Sequence, residues 1–154
     1  MSYIVGMDLT VSDPTPNFKL GAIGQDFLGY LYKYVQYNAG AGTIAAVAGN
    51  IVGYYAPGGV SAGSTTVVTS DVSDTAGAMA GMLMAVITTA QYGWIQIKGR
   101  ATITPAFVSG ADGNALTLSS TTDGTVKVAG AVTDSGGAVS IDASAKILTL
   151  DCPY

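Results

Sequence analysis

The residues with the most chemical potential lie close together near the middle of the chain. Trp94, Lys98 and Arg100 fall within seven positions, and they include the only tryptophan and the only arginine. Their spacing is even, and side chains on a strand alternate faces. Trp94, Gln96, Lys98, Arg100, Thr102 and Thr104 therefore share one face, and Ile95, Ile97, Gly99, Ala101 and Ile103 share the other. An aromatic ring beside two cations reads as a solvent or contact face. It does not read as a catalytic centre, because the partners are missing. The sequence contains no histidine, which removes the commonest general base and the commonest imidazole metal ligand. A Ser-His-Asp triad is impossible, and no Ser-x-x-Lys occurs. One cysteine, Cys152, can build neither a zinc site nor an intrachain disulfide. It is expected to be a small buried hydrophobe.

The acids point the same way. All ten are Asp, and nearly all stand beside Gly, Ser or Thr, where Asp serves turns. Asp112-Gly113-Asn114 and the pair Asp71 and Asp74 are fragments of what a calcium loop needs. The full loop with its terminal Glu is absent, so turn chemistry explains them better. Ser61 to Thr66 is small and polar but has no Gly-Lys-Ser/Thr and no helix behind it, so it is no phosphate cradle. The expectation is a protein that is not an enzyme and holds no cofactor or metal.

The elements that carry these residues are β strands. The absence of Glu, with many Thr, Val, Ile and Gly, disfavours helices. At 154 residues the chain is expected to form one domain with a real core. Only 10% of residues are charged and the net charge is −4. Binding to a nucleic-acid backbone needs clustered Lys and Arg and is not expected. A surface this neutral suits a chain partly covered by other subunits. The first residues have neither a basic region nor a long apolar core, so synthesis and folding in a cytoplasm are expected. The apolar run from Ala76 to Ile87 is well short of the ~20 residues of a spanning helix, and no membrane association is expected.

In chain order, residues 1–20 read as an amino-terminal arm. Tyr3 and Ile4 are an apolar patch, and Ser12 to Asn17 is a Pro-rich turn segment. The arm is either a short edge strand or a segment exchanged between subunits. Residues 21–154 read as a single β domain. Gly24 to Asn38 is a strand or hairpin that places Tyr30, Tyr32 and Tyr34 on one face. These tyrosines either cover the domain's own core or form an interface. Ile51 to Tyr55 and Thr65 to Thr69 are further strands, with Pro57-Gly58-Gly59 a turn between them. Residues 76–87 are read as a buried strand with a short helix as the alternative. The strand reading makes Thr88 to Gly93 the loop of a hairpin whose second strand holds Trp94 and ends before Pro105. Short strands follow around Leu116, Val126, Val139 and Ile147. Asp112-Gly113, Asp123-Gly124 and Gly136-Gly137 are read as the turns between them. The architecture expected is all-β: an antiparallel sandwich or small barrel with a flexible amino-terminal arm and at most one short helix.

The segment Tyr92-Gly93-Trp94-Ile95-Gln96-Ile97-Lys98-Gly99-Arg100-Ala101 resembles the Tyr-Gly-Trp-Val/Ile-Gln-x-x-Gly-x-Ala segment of small structural proteins encoded in the head-gene region of tailed bacteriophages. Some of these are capsid decoration, or cement, proteins. Tyr32-Lys33-Tyr34-Val35-Gln36-Tyr37 and Gly113-Asn114-Ala115-Leu116 are similar to two further segments of the same proteins, and together the three span roughly residues 27–120. The resemblance implies a structural virion protein on the capsid exterior. It would bind the major capsid protein where subunits meet, usually as a homo-oligomeric trimer. It implies no catalytic residue. Tyr3, Ile4, Tyr30, Tyr32, Tyr34, Trp94, Lys98 and Arg100 are the candidate interface. The alternatives are another fibre or tail component, or a carbohydrate-binding β sandwich that stacks sugars on Trp94 and the tyrosines.

Overall fold

The computed structural model describes residues 6–59, 63–131, 134 and 136–153. The fold is nearly all β: the described residues form ten strands and no α-helix, with 3-10 turns at Pro57–Gly59 and Val72–Asp74. The strands are β1 (Ile23–Gln25), β2 (Leu31–Tyr37), β3 (Ile51–Tyr55), β4 (Val67–Thr69), β5 (Thr75–Leu83), β6 (Tyr92–Thr102), β7 (Ala115–Leu118), β8 (Val126–Val128), β9 (Gly136–Asp142) and β10 (Ile147–Asp151). The order β2-β4-β3-β5-β6 closes on itself through β2–β6 pairing, which makes a five-stranded barrel. From the far half of β6 the sheet continues outward as β10-β9-β7-β8. Of the all-β antiparallel sandwich or small barrel expected, a small barrel forms, and it is not antiparallel throughout: β2 and β4 pair in parallel, as Gln36↔Val67 and Tyr37↔Val68.

Alternation explains the closure. Leu31, Val35 and Tyr37 of β2 and Ile95 and Ile97 of β6 point into one core with Ile51, Val52, Val68, Met79 and Leu83. The outer extension contributes Leu116, Leu118, Val126, Ala138, Leu148 and Leu150 to the same core. Of the stretch 76–87, the part up to Leu83 lies in β5, which pairs with β6 as Met82↔Gln96 and Leu83↔Ile95. Met84 to Ile87 leave the strand, and the loop runs from Met84 to Gln91 instead of Thr88 to Gly93, so Tyr92 and Gly93 already belong to β6. Two turn readings hold: Gly113 and Gly124 take positive φ, 83° and 71°. The third is corrected. Gly136-Gly137 begins β9 and is no turn. Gly137 is small for a packing reason, since a Cβ there would run into the Met79 side chain of β5.

The amino-terminal segment crosses the outside of the barrel. Asp13 bridges Tyr92 at the start of β6 with backbone bonds of 2.8 and 3.0 Å. Met7, Leu9, Phe18, Leu20 and Ala22 pack there against Tyr32, Tyr34 and Trp94, forming a second small core on the barrel's outer face.

Candidate interaction surface

β6 is the longest strand, with 11 residues. Its first half pairs with β2 in the register Tyr34↔Trp94, which sets those two rings side by side. Their centroids are 5.1 Å apart, and Phe18 of the amino-terminal segment stands edge-on to both at 5.2 Å. Tyr34 donates its hydroxyl to Asp13 Oδ2 at 2.5 Å and accepts the Asn17 N–H at 3.2 Å. Burial, helped by the neighbouring Asp13 carboxylate, pushes the Tyr34 phenol up to about 12. These contacts overturn the assignment of Trp94 to a solvent or contact face. Trp94 is 1% exposed, and Tyr32 and Tyr34 are buried with it. The physical reason is coverage: a segment some 80 positions earlier in the chain lies over a face that the strand's own alternation would leave open.

Tyr30 is half-buried. Its ring occupies the space a Cβ would need at Gly99, whose φ is +110°. The β2–β6 register shifts beside it, between Leu31 and Tyr32. Gln96 spans the irregularity by donating to the carbonyls of Lys98 (3.3 Å) and Arg100 (3.0 Å). Past the register shift at Ile97, Lys98 and Arg100 are exposed. Lys98 Nζ lies 3.5 Å from Asp151 Oδ1, with both side chains largely in water. Tyr3 and Ile4 lie outside the described residues.

Lys98 and Arg100 therefore belong to a different surface from Trp94. Register places Arg100 opposite Thr149, Thr149 opposite Val139, and Val139 opposite Ala115. All four are exposed, as are Lys98, Asp151, Gly136 and Ile141. They form one open face of the β6-β10-β9-β7 sheet, cationic at one side and apolar at the other. A shallow hollow of about 460 Å³ lies on it, lined by Ala115, Gly136, Gly137, Val139 and their neighbours.

Two features escaped the sequence reading. The tip of the β1–β2 hairpin presents Phe27 at 93% exposure and Leu28 at 61%. Its signal was legible: Asp26-Phe27-Leu28-Gly29 has Asp at the first and Gly at the last position of a β-turn. The other is Lys33, buried in the sheet, whose ammonium donates to Tyr54 Oη at 2.9 Å and stands 4.9 Å over that ring. Burial lowers its proton affinity.

The carboxylates act on backbone amides. Asp71 accepts the N–H groups of Gly42 (2.8 Å) and Ser73 (3.0 Å), and the Ser73 hydroxyl at 2.6 Å. That hydroxyl first, then the amides, hold its carboxyl below the ordinary range. Asp74 accepts Ala41 N–H at 2.6 Å and Gly58 N–H at 2.9 Å. Asp112 accepts Ala143 N–H at 2.9 Å. Among the described residues no group of three or more His, Cys, Asp or Glu is placed to hold a metal. Cys152 is buried, its thiol facing the Gly137 carbonyl at 3.5 Å, and burial pushes it up to about 12. No helix among the described residues is long and apolar enough to cross a membrane. Comparison with known protein families, with curated proteins and with solved structures finds no match to this chain.

Proposed function

We propose that this chain is a structural virion protein, a decoration or cement protein on the exterior of a tailed-phage capsid. It is made in the host cytoplasm and binds the major capsid protein where subunits meet, as a homo-oligomer and, following the resemblance at Tyr92 to Ala101, a trimer. The observation that carries this reading is the surface itself: an open sheet face bearing Lys98, Arg100, Val139 and Ile141, with an apolar tip at Phe27 and Leu28, on a chain with few charges. Exposed apolar groups with a polar rim are what protein contacts use. The buried carboxylates Asp71 and Asp74 already bond backbone amides, which favours a binding over a catalytic role. A sugar-binding reading draws no support from Trp94, Tyr32 and Tyr34, because those rings are buried. No nucleic acid, membrane or cofactor takes part in the proposed role.

The test is co-sedimentation with expanded shells assembled from the major capsid protein encoded near this gene. Saturable pelleting at a fixed ratio to shell subunits, with a rise in the shell's melting temperature, is the expected result. A protein that stays in the supernatant at all concentrations refutes the proposal.

A further inference from the structure

The cover over Trp94 is separate from the barrel it lies on. Among the described residues, none before Ile23 belongs to the main core. The amino-terminal segment meets the barrel in the second, smaller core instead, where Met7, Leu9 and Phe18 pack against Tyr32, Tyr34 and Trp94. Within residues 6–22 Asp13 alone is fully buried. A segment that adds nothing to the main core can leave without opening it, and such segments belong to the low-stability end of a structure.

The fastenings are few and local. Asp13 and Tyr92 exchange backbone bonds of 2.8 and 3.0 Å, which tie the segment to β6. Pro14 and Pro16 have no N–H to add. Side chains supply the rest. The Tyr34 hydroxyl donates to Asp13 Oδ2 and accepts the Asn17 N–H, so one phenol grips the segment at two points. Ser12 Oγ donates to Gln91 Oε1 at 2.7 Å and accepts the Thr88 N–H at 3.3 Å. Water replaces each of these bonds when the segment lifts, so each holds it only weakly. At the far end Gly21 takes a φ of +83° and donates to the Tyr34 carbonyl at 2.8 Å. A glycine between a loosely held segment and β1 is a natural hinge.

We infer that residues 7–20 form a strap that lifts from the barrel as one unit about Gly21, with the Tyr34–Asp13 bond as its latch, while the barrel stays folded. Closed, the strap seals Trp94, which is 1% exposed. Open, it presents Trp94, Tyr32 and Tyr34 together, an aromatic face that the closed form lacks. The inference concerns the chain by itself and stands whether or not a capsid is its partner.

Native-state hydrogen exchange of the full chain tests it. The Asp13 and Tyr92 amides and the Trp94 indole N–H report the strap; the Ile51 and Leu83 amides, bonded to the carbonyls of Gly124 and Asn50, report the barrel. After correction for intrinsic rates, the three strap reporters should share one opening equilibrium, at least about ten-fold more populated than the opening that frees Ile51 and Leu83. Ile103→Val, in the main core, should quicken Ile51 and Leu83 by about five-fold and leave the strap reporters unchanged, because both strap states contain the folded barrel. Tyr34→Phe should quicken the strap reporters by about five-fold. Should Tyr34→Phe misfold, Ser12→Ala takes its place, with the same direction expected. The inference is overturned if the strap reporters exchange only together with Ile51 and Leu83, or if Ile103→Val quickens all of them equally. It is overturned too by three strap reporters with unrelated opening equilibria, which is piecemeal fraying, and by strap rates that neither Tyr34→Phe nor Ser12→Ala moves.

Discussion

The two halves of β6 have the same alternation and opposite fates. In the first half, Trp94 faces away from the barrel interior and is sealed by Phe18 and the amino-terminal segment. In the second half, Lys98 and Arg100 face the same way and remain in water. The switch comes at the register shift around Ile97, beyond which Lys98 is the last β6 residue paired with β2 and the first paired with β10 on the opposite edge. The difference teaches that a polar-looking face on a strand is only potentially a surface. Whether it is one depends on what other part of the chain lies across it.

The comparison breaks most sharply at Trp94. Trp94→Ala removes a fully buried ring from the outer core and should cost about 3–5 kcal/mol in urea denaturation. A cost below about 1 kcal/mol would mean the ring is not enclosed. Gly99→Ala comes next. It forces a Cβ into the Tyr30 ring at a left-handed φ, and a loss of about 2 kcal/mol or more is expected. Tyr34→Phe removes the donor to Asp13 and should cost about 1 kcal/mol. Hydrogen exchange should then quicken at the Asp13 and Tyr92 amides, which bridge the segment to β6. No change there would detach the hydroxyl from the closure.

Acid separates buried from exposed carboxylates. Both Asp71, which is buried, and Asp142, which lies on the open sheet, are held below the ordinary carboxylate range by hydrogen bonds, a serine hydroxyl first in each case. A depressed folded-state value means the stabilisation is complete above the unfolded value, near 3.9, and is lost as pH falls through the folded one. Asp71→Asn should therefore flatten the loss of stability as pH falls below about 4. Asp142→Asn should change it little, because solvent screens an exposed group. The smallest effect belongs to the open face: Lys98→Ala with Arg100→Ala should stay within about 0.5 kcal/mol, since the Lys98–Asp151 pair is exposed. A larger loss would show that this face also supports folding.

Much of the fold was legible because β structure writes its period locally. The alternations within Gly24 to Asn38, at Ile51 to Tyr55 and from Trp94 onward all became strands, although β6 begins two residues earlier, at Tyr92, and the loop between β5 and β6 runs from Met84 to Gln91. The shared face of Tyr32 and Tyr34 was legible too, and it covers the domain's own outer core. The site was less so. Alternation separates two faces but cannot say which is covered, so Trp94 was grouped with Lys98 and Arg100 although the register shift at Ile97 lies between them. Gly136-Gly137 has the composition of a turn, yet Met79 requires a bare backbone beside it. The Phe27 tip stayed open between strand and hairpin, because its apolar residues compete with the Asp and Gly that bend the chain there.

By itself, then, the sequence determined the all-β class, the strand segments and their two faces. It also removed histidine chemistry, a Cys/His zinc site and an intrachain disulfide. These are properties of composition and of near neighbours. Only the tertiary structure decided that β2 and β6 close a barrel and that the amino-terminal segment seals Trp94. It alone placed Lys98, Arg100, Val139 and Ala115 on one open face. Each of those rests on residues brought together from distant parts of the chain, and no local period encodes which distant segment will lie across a given strand.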